Sequence, residues 1–124
     1  MTKKKKEQDN AAKLAEIIIH GIQEKKGKNI VLMDMRKLPN AVTEIMIIAT
    51  GDSNSQVSAI ADSVEKEVKK ALDEYPWHTE GYENAIWILL DYVNVVLHVF
   101  QPEARDYYQL EKLWADAALK WYND

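Results

Sequence analysis

Two runs of strand-forming residues, AIWILLDY (85–92) and VVLHVFQ (95–101), stand on either side of Val93-Asn94. A chain built this way is committed to a β-hairpin. If the connecting loop has an even number of residues, Trp87 lies opposite Phe100, Leu89 opposite His98 and Asp91 opposite Val96. All six then share one side of the sheet. The other side would carry Ile86, Ile88, Leu90, Leu97 and Val99, a purely aliphatic surface. One face is therefore dry and the other amphipathic and aromatic. Read from the residues alone, Trp87 and Phe100 suit a core beneath a helix as well as they suit the anchor of an interface.

The rest of the chain supplies what such a hairpin needs to pack against. Residues 11–26 place Leu14, Ile17, Ile18 and Ile22 on one helical face, and Gly27 follows as a C-cap. NIVLMDM (29–35) and EIMIIAT (44–50) read as central strands, with a turn at KLPN between them. Residues 53–74 keep helical spacing through Val57, Ile60, Ala61, Val64, Val68, Ala71 and Leu72. WHTEGYE (77–83) reads as a weak edge strand. Pro102 opens a closing helical region in which Leu110, Leu113, Trp114, Ala117 and Trp121 share a stripe. The order α-β-β-α-β-β-β-α predicts an α/β (α+β) fold with a mixed sheet of about five strands packed with helices. At 124 residues this is one domain. We expect it to span 10–122, behind a disordered basic tail at 1–9.

Charge and composition narrow the function. The net charge is −4, although residues 1–9 hold Lys3, Lys4, Lys5 and Lys6 against Glu7 and Asp9. The remainder is thus more acidic still. Arg36 and Arg105 are the only arginines, so the forked donor that reads phosphates and bases is scarce. Direct sequence-specific nucleic-acid binding is not expected, and an acidic domain suits a basic protein surface. The chain has no cysteine, which removes disulfides, thiol catalysis and Cys-bound zinc. No apolar run approaches the ~20 residues that span a bilayer, and no apolar signal core follows the lysine run. We expect a cytoplasmic protein with no membrane partner.

The segment IIATGDSNSQV (47–57) has the outline of a phosphate-cradling loop: a strand, a glycine, a serine-rich turn and a helix start. Ser53 and Gln56 nevertheless match an S-x-x-Q capping box, which explains them without a ligand. A P-loop would need a lysine that this segment lacks. His20, His78 and His98 are far apart and show no metal-ligand spacing. There is no G-x-S-x-G elbow. Asp34, Glu80 and Asp91 sit in or near strands; paired carboxylates or surface ion pairs both fit them. The residues point to no catalytic group, cofactor or metal.

ATGDSNSQVSAIADSV, EGYENAIWILLDY and VVLHVFQPEARDYYQLEKLWADA together resemble the Iojap family of ribosomal silencing factors, from about Asn29 to Ala118. The resemblance implies a non-enzymatic protein whose fold is similar to a nucleotidyltransferase core without its metal-binding carboxylates. It also implies binding to the large ribosomal subunit through large-subunit ribosomal protein fourteen, which hinders joining of the small subunit. Assembly of the large subunit is the alternative role, a residual nucleotidyltransferase activity is a lesser one, and a homodimer is left open. By position, the family's W-x-x-x-D strand falls on Trp87 and Asp91, with Leu89 between them. The H-x-F strand falls on His98 and Phe100, and the following helical motif on Arg105, Tyr108 and Glu111. These eight residues are the expected partner-binding set. Where the family commonly has Gly-Asp in the hairpin turn, this chain has Val93-Asn94.

Overall fold

The computed structural model describes residues 2–123, with side chains over 10–123. The expectation of a basic tail at 1–9 lies outside those fully described residues. The elements follow in the order α1 (Thr2–Glu24), β1 (Lys28–Asp34), β2 (Ile45–Thr50), α2 (Asn54–Leu72), β3 (His78–Glu80), β4 (Trp87–Asp91), β5 (Val95–Phe100), α3 (Pro102–Tyr108), α4 (Leu110–Leu113) and β6 (Ala118–Tyr122). The strands form one sheet in the order β3-β4-β5-β2-β1-β6. Neighbours are antiparallel except β2 and β5, which run parallel from Ile45↔Val95 to Thr50↔Phe100.

Strand alternation sorts the core onto the two faces of this sheet. Ile45, Ile47 and Ala49 join Ile88, Leu90, Leu97 and Val99 on the face that α1 and α2 cover, where Leu14, Ile18, Ile22, Val57, Ile60 and Val64 pack against them. Val31, Met33, Met46, Ile48 and Phe100 form a second cluster on the opposite face, under Ala104, Leu110, Trp114 and Ala117. β2 lies in the middle of the sheet and is buried at every position, as an uninterrupted apolar run should be.

The α1–α2 contact is fastened at its ends. Ser53 accepts a bond from the Gln56 N–H at 3.1 Å, as expected of an N-cap. The reciprocal bond of the capping box is displaced by one residue: Gln56 Oε1 accepts from the Asp52 N–H at 2.7 Å. Its Nε2 donates to the Lys25 and Lys26 carbonyls at 3.2 Å each, so one side chain serves the start of α2 and the end of α1. α1 closes through Gly27 N–H to the Ile22 carbonyl and Lys26 N–H to the Gln23 carbonyl. The left-handed residue in that closure is Lys26, at φ 59°, not Gly27. Glycine is needed at 27 for space, since a Cβ there would lie 2.3 Å from Ile22 Cγ2.

The end of the chain departs from expectation. In place of one closing helix there are two short ones, broken at Gln109 (φ 48°), and a sixth strand. Leu110, Trp114 and Ala117 still pack together beneath the sheet. Leu113 is exposed, and Trp121 sits on β6 opposite Val31. The sheet itself explains the difference. Without β6 the hydrogen-bonding edge of β1 would be open, and an unpaired apolar edge is what native sheets cover. In AALKWY (117–122) the four-residue spacing of Ala117 and Trp121 imitates a helix, whereas Leu119 and Trp121 alternate with Lys120 and Tyr122 as a strand requires.

Candidate functional site

The β4–β5 register is the one the hairpin demands: Trp87↔Phe100, Leu89↔His98 and Asp91↔Val96. Tyr92 N–H bonds to the Val95 carbonyl at 2.9 Å, which leaves Val93-Asn94 as a two-residue loop. Val93 takes φ 78°, and the Asn94 N–H bonds back to the Tyr92 carbonyl at 3.0 Å. A β-branched residue in that conformation is strained. Three contacts hold it. Asp91 Oδ1 accepts from the Val93 N–H at 2.7 Å, Thr43 Oγ1 donates to the Val93 carbonyl at 3.0 Å, and the Ile45 N–H donates to the Asn94 carbonyl at 3.1 Å. The turn thereby presents an exposed Val93 side chain.

The other end of β4 is tied to the start of α3. The Gln101 N–H donates to the Ile86 carbonyl and its side-chain amide to the Ala85 carbonyl. Ile86, expected on the aliphatic face, precedes the strand and is half exposed. β3 reaches β4 through Gly81, at φ 92°, where a Cβ would lie 1.9 Å from the Trp87 carbonyl oxygen. Only glycine allows so close a crossing.

Between these fixed ends the Trp87 ring is half-buried in an aromatic cluster. It stacks on Phe100 with centroids 4.9 Å apart and meets the Tyr108 ring at 4.7 Å. Its indole N–H donates to His98 Nδ1 at 2.9 Å. Burial pushes the His98 ring down to about 4, with Asp91 opposing weakly, so the imidazole is neutral at ordinary pH. Phe100 is sealed beneath the cluster. Trp87, Leu89, Asp91 and His98 line a groove of about 740 Å³, together with Val96, Met46, Leu110, Trp77, Val42 and Val93. The last three are each more than 60% exposed. This is the stretch of the second sheet face that α3 and α4 leave open.

Four of the eight expected residues, Trp87, Leu89, Asp91 and His98, thus meet in one groove. Tyr108 and Phe100 support its central ring from the side and from below. Arg105 and Glu111 lie elsewhere. The Arg105 guanidinium, 10% exposed, binds Glu111 at 3.0 Å, the Asn29 carbonyl at 2.6 Å and Thr50 Oγ1 at 2.8 Å. That is a brace joining α3, α4 and the ends of β1 and β2. It holds Asn29 at φ 51°, where β1 bulges against β2, a conformation asparagine tolerates.

Trp77, Val42 and Val93 were not anticipated at this site. Trp77 enters because its N–H bonds to the Asp91 carbonyl at 2.7 Å, which fixes it beside the hairpin. An isolated tryptophan ahead of an edge strand was the available signal. The carboxylates Asp34, Glu80 and Asp91 do not converge. Asp34 pairs with Arg36, whose bond holds its carboxyl below the usual range; Glu80 pairs with His78, and Asp91 caps the turn. Among the described residues no group of three or more His, Asp or Glu side chains is placed to hold a metal ion, and no helix is long and apolar enough to cross a membrane.

Fold and face describe a small α/β protein that offers an aromatic groove on the open part of one sheet face. Comparison with known proteins gives the family. The family described as "Ribosomal silencing factor during starvation" matches residues 8–123, and the chain belongs to it. A ribosomal silencing factor of Haemophilus influenzae is 43% identical over 102 residues, 82% of this chain and 98% of the relative. The one of Chromobacterium violaceum is 42% identical over 101 residues, 82% and 81% of the two chains. A crystal structure of a protein from Chromobacterium violaceum superposes with a TM-score of 0.79 at 40% identity, over 84% of this chain and 85% of that one. More distant relatives, each 32% identical over 75 residues, are named chloroplastic Iojap in Zea mays and mitochondrial assembly of ribosomal large subunit protein 1 in Mus musculus; the match spans 32% of each.

Proposed function

We propose that this silencing factor docks on the large ribosomal subunit through large-subunit ribosomal protein fourteen and blocks joining of the small subunit by occupying the space it needs. The observation that carries the reading is the partly exposed Trp87 ring, held by Phe100, Tyr108 and His98 in an apolar groove. A preorganised tryptophan ringed by apolar contacts is the usual composition of a binding hot spot. Trp87 and Leu89 are the anchors; Asp91, Trp77 and Val93 form the rim. The acidic chain favours a basic partner surface by charge attraction that salt screens. Arg105 and Glu111 act indirectly, by bracing the helix that carries Tyr108. We place this activity in the cytoplasm, where it needs no cofactor and no chemistry.

The test is a joining assay. Purified protein added to separated subunits should raise the free-subunit fraction with dose, act poorly on subunits already joined, and pellet with large but not small subunits. Trp87→Glu should pellet weakly while melting near the parent, with the loss of ~2–4 kcal/mol usual for an anchor. No effect on joining at saturation would sink the silencing reading. The mouse relative's name supports a second reading, large-subunit assembly through the same groove. Binding to large subunits without any block on joining would favour it.

A further inference from the structure

The His98 ring is 8% exposed, and one of its nitrogens is committed. An indole N–H can only donate, so Nδ1, which receives it at 2.9 Å, must be the acceptor and the ring proton must sit on Nε2. Among the described residues Nε2 has no polar partner. It is not sealed in either, since among the described residues the only fully enclosed side-chain polar atom without a partner is the Tyr92 hydroxyl. His98 lines the groove beside Leu89, Val96 and Met46, whose side chains carry no oxygen or nitrogen to accept from it. The nearby Asp91 carboxylate is turned to the Val93 amide.

Such a donor is satisfied by water while the groove is empty and loses that water when the groove is filled. A partner without an acceptor at this point leaves it buried and unmet, which discriminates strongly against that partner. Resting on the docking reading above, we propose that His98 Nε2–H is the polar reading point of the groove. It donates to a carbonyl oxygen of the ribosomal protein, set beside an apolar side chain that packs on Trp87 and Leu89. A carbonyl rather than a carboxylate is specified by charge, because Asp91 lies on the same sheet face in an acidic chain. His98 thus does two jobs: it orients the anchor through one nitrogen and reads the partner through the other.

His98→Asn separates them. Its amide oxygen can still accept from Trp87, but its side chain is too short to put a donor where Nε2 stood. The protein would be titrated onto purified large subunits and pelleted, beside the parent and Trp87→Glu. The Trp87 indole N–H would be followed by nuclear magnetic resonance, assigned by its loss in Trp87→Phe. The expected result is an indole N–H still protected from solvent exchange, with affinity down about tenfold, the worth of one hydrogen bond. Parental affinity with the indole N–H still protected overturns the proposal. If His98→Asn unfolds or leaves the indole N–H open to exchange, a structure of the parent bound to large subunits decides. A carbonyl oxygen within hydrogen-bond reach of Nε2 upholds it; an apolar group, a donor or a retained water there overturns it. Loss of binding in Trp87→Glu alone would discard this inference and keep the docking face, whereas parental binding by Trp87→Glu would discard the face itself.

Discussion

The indole N–H of Trp87 and Nδ1 of His98 are joined at 2.9 Å across the β4–β5 hairpin, diagonally offset from the directly opposed pairs. The bond exists only while His98 is neutral, and burial keeps it so down to about pH 4. The ordinary value of 6.5 returns on unfolding. Because the folded value is the lower one, the stabilisation is fully present above pH 6.5 and is lost as pH falls through 6.5 towards 4. Between pH 7 and 4.5 this group alone should remove roughly 2 kcal/mol of stability. Urea titrations at the two pH values, compared with His98→Asn, isolate it: the variant should lose less over that interval by about the same amount.

Val93→Gly should move stability and binding in opposite directions. Relief of a β-branched residue at positive φ offers ~1–3 kcal/mol, partly offset by the ~0.5–1 kcal/mol of extra freedom glycine has when unfolded. A net rise in melting temperature is expected. The same change removes an exposed apolar side chain from the groove rim, so affinity for large subunits should fall. Paired thermal melts and pelleting would show both, and a lowered melting temperature would mean the turn is unstrained.

Arg105→Lys should destabilise by about 2–4 kcal/mol. An ammonium cannot reach Glu111, Thr50 and the Asn29 carbonyl together, and the part-buried acceptors on Thr50 and Glu111 would be left unmet. Any loss of binding should be recovered at low temperature, where the fold is restored, because Arg105 lies outside the groove. A binding defect that persists in the fully folded variant would move Arg105 into the contact surface.

Gln56→Ala should cost at least as much as Ser53→Ala, for which ~0.5–2 kcal/mol is usual. Ser53 caps one helix, whereas Gln56 touches the Asp52 amide and two carbonyls at the end of α1. Chemical denaturation of the two variants ranks them. Neither should alter subunit binding, and nucleotide binding abolished by Ser53→Ala would restore the phosphate-loop reading of 47–57.

The hairpin face was legible because period-two alternation and a two-residue loop leave one register, so Trp87, Leu89 and His98 could be set on one side from the sequence. The conformation that Val93 adopts was not, since it depends on Thr43 and Ile45, far away along the chain. The Arg105 brace escaped for the same reason: its acceptors at Asn29 and Thr50 are 76 and 55 residues distant. β6 was hidden by a segment whose spacing satisfies a helix and a strand alike, a tie that the open edge of β1 resolves. Trp77 has no periodic partner, and only the Asp91 carbonyl brings it to the groove.

The parallel union of β2 with β5 has a consequence for synthesis. Every residue of α2, β3 and β4 must be made before those two strands can meet, and pairings so distant are the slow ones in folding. The groove takes Met46 from one side of that seam and His98 from the other, and Leu110 later still. On the docking reading proposed above, a nascent chain that has exposed only its first two strands lacks the groove that would grip a ribosome, including the one producing it. On that reading, competence to silence arrives late, only after Leu110 has been translated.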